Sequence, residues 1–440
     1  METNPVQVST TKQAGAVRDR WPWTKPWIWT DRMLTALENG VKGGKWFSLI
    51  DKVCAERTLE AAASHATADW KKAAGVDHVS PEQFARRQEE YVQRLLLDLR
   101  TDQYRPQSVR RCWIPKPGSR EKRPLGIPTV RDRVVQTALR DVIEPIFERD
   151  FAEHSYGFRP GRGCKDALRQ VDRLLKNGYR IVVDVDLKSY FDTIPHEPLL
   201  ERVREKISDG RVLALIAAFL GQGVMDGLRE WTPETGSPQG AVISPLLSNI
   251  YLDPLDHLMA QRGFQMIRYA DDFVILCRSR EEADEALALV RQWTEQAGLT
   301  LHPTKTKIVD AVAEGFDFLG YHFEHGKRNP RVKSLTKLKD AIRAKTRRNN
   351  GRGLSKLIED VSYILKGWFG YFKHVTNRYV FTSLDKWTRA RLRSILRRRL
   401  KRRGRSQGRD HQRWPNSFFS ERGLYSLNTA YVLARQSLTR

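Results

Sequence analysis

Two short apolar runs flank the pair Asp271-Asp272 within the stretch Met-Ile-Arg-Tyr-Ala-Asp-Asp-Phe-Val-Ile-Leu (266–276). Such runs on either side of two polar residues predict two antiparallel strands joined by a tight turn. A second run, Ile-Val-Val-Asp-Val (181–185), predicts a central strand that ends at Asp186. Elsewhere the apolar spacing changes to three and four. It predicts helices through 31–99, with a break at 71–77, and again over 130–143, 165–175, 244–260 and 281–297. Thr129 with Asp132 three residues on reads as a capped helix start. Ser244 followed by Pro245 reads as an N-cap with proline in the first turn. Residues 109–114 are strand-like, 115–122 form a Pro/Gly turn, 298–308 form a turn and strand, and the chain is helical from 333 onward.

Composition sharpens this picture in one respect. The 440 residues carry a net charge of +25, and 40% of them are hydrophobic, enough for a sizeable core. Residues 331–440 hold 29 Lys and Arg against 6 Asp and Glu, a net +23, so the preceding three quarters is nearly neutral. A basic appendage on a neutral body points to nucleic acid. Cys54, Cys112, Cys164 and Cys277 lie far apart and contain no Cys-x-x-Cys pair. A zinc ribbon and a disulfide framework are therefore not expected. With no signal-peptide pattern and no run of about 18 apolar residues, the expectation is a cytoplasmic chain with no membrane partner.

Asp-Asp in a turn has a plain explanation, because Asp favours turns. The flanking runs, however, are apolar enough to be buried. Two carboxylates at a buried edge lose hydration and repel each other, so they need a counter-charge. Asp186, at the end of the other predicted strand, can converge on the same point. Asp184 precedes it by two and shares its strand face. Carboxylates so grouped can hold two Mg²⁺ ions about 3.5–4 Å apart for in-line phosphoryl transfer.

The box Tyr-Ala-Asp-Asp (269–272), with Asp-Leu-Lys-Ser-Tyr-Phe-Asp (186–192) upstream, resembles the palm of a reverse transcriptase, and more closely the enzymes encoded by bacterial group II introns. The similarity runs over about residues 70–400. It includes Arg-Pro-Leu-Gly-Ile-Pro (123–128), Gly-Phe-Arg-Pro-Gly (157–161), Ser-Pro-Gln-Gly (237–240), Phe-Asp-Phe-Leu-Gly-Tyr (316–321) and the maturase-like Leu-Lys-Gly-Trp-Phe-Gly-Tyr-Phe (365–372). The resemblance implies an α+β right-hand polymerase of fingers, palm and thumb, with a basic helical thumb and maturase region. Its segments would be an N-terminal extension (1–100), fingers and palm (101–330), and thumb with RNA-binding region (331–440). A DNA-endonuclease module is not expected.

By the same resemblance, Asp186, Asp271 and Asp272 are the catalytic carboxylates. Asp186 and Asp271 are the ligands of two Mg²⁺ ions, with Mn²⁺ as a substitute. Lys116, Arg123, Phe191, Gln239 and Lys305 face the deoxynucleoside triphosphate, Phe191 sitting under the sugar's 2′ carbon. Phe318, Leu319 and Gly320 form a primer grip. Arg159 contacts the template backbone or serves a turn and helix cap. Asp192 caps a helix. In the basic region, Lys366, Trp368, Arg391, Arg393, Arg397 and Arg398 would bind RNA, with Leu392, Ile395, Leu396 and Leu400 on one face of a helix over 389–405. Trp21, Trp23, Trp27 and Trp29 either stack on bases or pack on the body.

The implied function is RNA-directed DNA synthesis from an RNA template and a DNA primer, coupled to binding and splicing of a parent group II intron RNA and to a DNA target. Two rivals stand beside it. One is a free-standing, domesticated reverse transcriptase in DNA repair or phage defence. The other is an RNA-binding splicing factor with a dispensable polymerase.

Overall fold

The computed structural model describes residues 17–41, 43–69, 72–115, 122–347, 351–402, 404 and 408–436. Strands among them are, in chain order, β1 (Val109–Pro115), β2 (Lys122–Ile127), β3 (Ile181–Asp186), β4 (Val224–Asp226), β5 (Arg229–Trp231), β6 (Gln265–Tyr269), β7 (Asp272–Cys277), β8 (Lys307–Asp310), β9 (Phe316–Phe318), β10 (Tyr321–Glu324) and β11 (Lys327–Pro330). They form three sheets ordered β2-β1-β4-β5, β6-β7-β3-β8 and β11-β10-β9.

The β6-β7-β3-β8 sheet is antiparallel throughout and lies between two cores. Because strand side chains alternate, Val183, Val185, Phe273 and Ile275 enter the larger core, where the helices Ser244–Gln261 and Arg280–Gln296 cover that face. Val182, Val274, Leu276 and Ile267 enter the second core, shared with β9, β10 and the helix Leu354–Phe372. Each fully buried side chain of this size contributes about 1.5–3 kcal/mol. A one-residue slip would carry Asp184 and Asp186 to the face that Val183 and Val185 fill in the larger core, so the register is firmly set.

Several expectations are met with shifted boundaries. The helix Val130–Glu148 starts at Thr129, whose Oγ1 accepts from the Asp132 N–H at 3.1 Å. Ser279 caps Arg280–Gln296 in the same way. The tryptophan stretch packs on the body: Trp29 is fully buried and its Nε1 donates to the Asp141 carbonyl at 3.2 Å.

Others are corrected. Ser244 is the first helical residue, not the cap. Its hydroxyl accepts from Ser237 Oγ (2.6 Å) and donates to the Pro238 carbonyl (3.0 Å), tying the 237–239 loop to the helix. Asp192 lies inside the short helix Tyr190–Thr193, behind Ser189, so it is not a cap. The basic helix runs Tyr379–Arg399 and stops short of 405. Its Leu392 and Ile395 join Leu357, Ile358, Trp414 and Phe419 in a third cluster. No helix among the described residues is long and apolar enough to cross a membrane.

Candidate active site

β6 and β7 pair with Tyr269 opposite Asp272, which leaves Ala270 and Asp271 as a two-residue turn. β3 pairs with β7 with Asp186 directly opposite Asp272. The three carboxylates therefore meet at adjoining strand ends, and Asp184 stands two positions along the same face. Burial, then the neighbouring Asp184, Asp271 and Asp186, pushes the Asp272 carboxyl up to about 7. Burial chiefly raises Asp184 to about 6, and burial also raises Asp271. Lys307, Arg331, Arg123 and Arg268 offset this rise only in part. On Asp186 positive charge is supplied by Lys305, whose Nζ lies 2.5 Å from Oδ2.

The donor set suits a hard divalent cation, since every group is a carboxylate oxygen. No three Asp, Glu, His or Cys among the described residues form a ready cage. Mg²⁺ commonly binds through one or two carboxylates and completes its shell with water and substrate phosphates. The residues that could serve as those carboxylates are Asp186 and Asp271.

The turn is held from beneath by residues that the sequence reading did not single out. Ala270 has φ +61°, a left-handed conformation that costs a non-glycine residue about 1–3 kcal/mol unless its surroundings impose it. They do impose it. Arg268 is completely buried and pairs with Asp256. Its Nη1 donates to the Ala270 carbonyl and to Asn249 Oδ1, each at 2.9 Å. Asn249 Nδ2 in turn donates to the Gly157 carbonyl at 2.8 Å. Gly157 lies so close to the turn that a Cβ there would sit 2.2 Å from Ala270 N. Gly157, the first glycine of Gly-Phe-Arg-Pro-Gly, is thus required by the close approach of the Ala270-Asp271 turn. An arginine inside an otherwise apolar strand was the available signal, because a buried charge must be paired.

Phe191 and Gln239 line one cavity of about 440 Å³, which Asp192 also borders. The Gln239 carbonyl accepts from Gly126 N at 2.7 Å, fastening this loop to β2. Arg123, exposed on β2, is near enough to act electrostatically on Asp271 and Asp192. Burial raises the Asp192 carboxyl. Lys116 lies outside the described residues.

Arg159 is not at the surface. Its guanidinium pairs with Glu148 at 2.8 Å and donates to the carbonyls of Ala152 and Ser155, so it fixes the loop and leaves no donor facing a template. Phe318 is also buried, so the part presented there is the half-buried Leu319 and Gly320, with φ +46° and +82°. That turn is locked reciprocally. Tyr371 Oη donates to the Leu319 carbonyl (2.7 Å), and Tyr321 Oη donates to the Tyr371 carbonyl (2.6 Å). The maturase-like motif is therefore packed against the expected primer grip.

The basic region divides in the same way. Trp368 stacks on Phe372 with ring centroids 4.6 Å apart. Arg393 is buried and donates to the Trp414 carbonyl and Asn416. Arg391 bonds Thr346 at the end of the helix Val332–Lys345, and Arg397 pairs with Asp410. These arginines hold helices together, because a buried guanidinium must find acceptors. Lys366 and Arg398 are exposed.

Comparison with known proteins gives this geometry a family. Residues 114–323 match the profile described as reverse transcriptase (RNA-dependent DNA polymerase), and residues 335–414 match the maturase-specific domain of group II introns. Protein YkfC of Escherichia coli (strain K12) is 36% identical, over 56% of this chain and 74% of that protein. The group II intron-encoded protein LtrA of Lactococcus lactis subsp. cremoris is 40% identical, over 39% of this chain and 29% of that protein. An uncharacterized 91 kDa protein in the cob intron of Schizosaccharomyces pombe is 29% identical, over 66% and 46%. The matches thus span less than half the length of the latter two proteins. Polymerase and maturase segments follow one another in order, and the chain belongs to the group II intron reverse transcriptase/maturase family.

Proposed function

We propose that this protein is a right-hand polymerase that copies RNA into DNA and also binds a group II intron RNA and assists its splicing. In this reading residues 1–100 are an N-terminal extension, 101–330 are fingers and palm, and 331–440 are thumb and RNA-binding region. The meeting of Asp186, Asp271 and Asp272 at two adjoining strand ends is the observation that carries the reading. A DNA primer on an RNA template, and a DNA target during mobility, are the partners it requires.

Asp186 and Asp271 would hold two Mg²⁺ ions, Mn²⁺ being the alternative. Bound there, the ions would supply charge to the primer 3′-hydroxyl and the leaving pyrophosphate. The chain's own groups do the rest. Arg268 and Gly157 fix the turn that carries Asp271. Asp272 adds negative potential behind the two ligands. Lys305 Nζ, exposed beside Asp186, would give its proton to the departing pyrophosphate oxygen.

Phe191 lines the cavity beside Gln239 and would close off the space of a 2′-hydroxyl. Phe191→Val should raise ribonucleotide incorporation at least about tenfold, because the gate is steric and the pocket merely opens. Competition between ribo- and deoxyribonucleotides in single-nucleotide extension checks this. An unchanged ratio assigns the gate to another residue.

A paired assay tests the whole reading. Arg398 and Arg402 are exposed on the basic region. Neutralising both, as Arg398→Gln/Arg402→Gln, should flatten the slope of log affinity against log salt by about 0.7 per lost phosphate contact on single-stranded RNA. Intron splicing should fall with it, while extension of a short primer-template falls less. Asp271→Asn should do the reverse. Equal loss of both activities in both variants would refute the division of labour. No intron RNA bound above background would replace the maturase reading with that of a free-standing enzyme.

A further inference from the structure

The turn between β9 and β10 is held from outside the reverse-transcriptase segment. Phe318 pairs with Tyr321, so Leu319 and Gly320 form a two-residue hairpin loop. Both have positive φ, +46° and +82°. Loops in which both central residues are left-handed favour Asn or Asp followed by Gly. Leu319 lacks the short polar side chain that lets Asn and Asp hold this conformation locally. It persists because the surroundings impose it.

Two helices supply the constraint. The Leu319 carbonyl accepts from Tyr371 Oη at 2.7 Å. Burial raises the Tyr371 hydroxyl above its ordinary range, so it stays protonated and remains a donor. The Gly320 carbonyl accepts twice, from Arg331 N at 3.0 Å and from Ser334 Oγ at 2.9 Å. Packing is close on the same side: a Cβ on Gly320 would sit 3.3 Å from Ser334 Oγ and 3.6 Å from Phe372 Cζ. Tyr371 lies in the helix Leu354–Phe372, within the maturase-specific match. Ser334 lies in the helix Val332–Lys345, beyond the end of the reverse-transcriptase match at residue 323.

The peptide between Leu319 and Gly320 is planar and trans, so its C=O and N–H point in opposite directions. With the carbonyl held by Tyr371, the Gly320 N–H is turned to the other side. Among the described residues no acceptor meets it, nor the Leu319 N–H. Successive N–H groups at such a turn suit an oxyanion. Rotation of this one peptide would present a carbonyl lone pair there instead, which repels a phosphate. We propose that Tyr371 is a positioning residue for DNA synthesis: by holding the Leu319 carbonyl it aims the Gly320 N–H at a phosphate of the primer's 3′ end. The inference rests on the polymerase reading, which brings the primer to this turn. It goes beyond that reading in giving a side chain of the maturase-specific segment, with Ser334 beside it, a part in setting where the primer 3′-hydroxyl lies.

Tyr371→Phe tests this, because it keeps the ring and its contacts with Tyr321 and Phe372 and removes only the donor. Single-turnover extension of a short primer-template by the full-length protein, with Mg²⁺ and saturating deoxynucleotide, reads two quantities. The amplitude reports the share of folded, competent protein, and the rate constant reports positioning. Tyr371→Phe should lower the rate constant about tenfold at parental amplitude, since a small misplacement of reacting groups costs this much. Ser334→Ala, which removes the other side-chain donor from the turn, should lower it by less. A primer whose last two linkages are uncharged methylphosphonates should slow the parent about tenfold, the N–H then facing no charge. It should slow Tyr371→Phe little further, because both changes remove the same contact. A parental rate constant in Tyr371→Phe overturns the proposal, whatever the amplitude. So does a parent unslowed by the uncharged primer, or slowing of parent and Tyr371→Phe by the same factor. If Tyr371→Phe does not fold, Ser334→Ala with the two primers decides in its place. A parent that extends no primer at all counts against the polymerase reading instead.

Discussion

Asp271→Asn should lower Mg²⁺-dependent primer extension by at least about 10³-fold. Removing a charge that holds cations at the reacting phosphate forfeits several kcal/mol of transition-state stabilisation, and each 1.36 kcal/mol is tenfold in rate. The fold should survive. Asn is as acceptable as Asp in a turn, and the surrounding carboxylates gain from the change. Burial and Asp186 hold the Asp271 carboxyl above its ordinary range, so the ionised residue opposes folding at neutral pH. Measured without divalent metal, the thermal midpoint of Asp271→Asn should therefore equal or exceed that of the parent. A purely conformational role for the turn residue predicts something different, namely extension at the parental rate. Steady-state extension beside a melting curve separates the two.

The β6-β7 hairpin was legible because mostly apolar runs flank Asp271 and Asp272, although the turn proper is Ala270-Asp271 and Asp272 already belongs to β7. Once 181–185 and 272–277 pair with Asp186 opposite Asp272, the carboxylates have nowhere else to meet. The supports of the site were not legible to the same degree. Asp256 and Asn249 lie 12 and 19 residues before Arg268, on a helix whose face toward β6 is defined only by packing. Arg159 read either as a template-backbone contact, because glycines and arginines before a helix suit an anion, or as a turn and cap residue, and it holds the loop. Its acceptors, Glu148 and two carbonyls, are supplied by the fold. The same reason explains Arg393. A run of arginines looks like a solvated face until the segment around Trp414 covers part of it. Ser244 read as a cap because Ser-Pro is a helix-start signature, yet its hydroxyl serves the 237–239 loop. In each case a polar group that satisfies a tertiary partner is indistinguishable, along the chain, from one that meets solvent or ligand.

Arg268→Met should cost about 3–5 kcal/mol of stability, because it leaves Asp256 charged and unpaired in the core. That loss alone would not distinguish a structural ion pair from a residue that positions the catalytic turn. The double variant Arg268→Met/Asp256→Leu distinguishes them. Replacing both charges by apolar groups of similar size restores most of the stability. It does not restore the donors to the Ala270 carbonyl and Asn249 Oδ1. The strained Ala270, with φ +61°, then loses a contact that fixes it, and the Asp271 carboxylate loses its set direction. The expected result is a denaturation midpoint close to the parent's with a kcat for primer extension reduced about 10²-fold, the KM for primer-template being unchanged. A misplacement of about 1 Å in a reacting geometry costs this much. Arg268→Lys should fall between, because an ammonium cannot bond Asp256 and the Ala270 carbonyl together as a planar guanidinium does. If the double variant recovers parental kcat along with stability, Arg268 serves only the core, and the direction of Asp271 is set by Gly157 and the strand pairing alone.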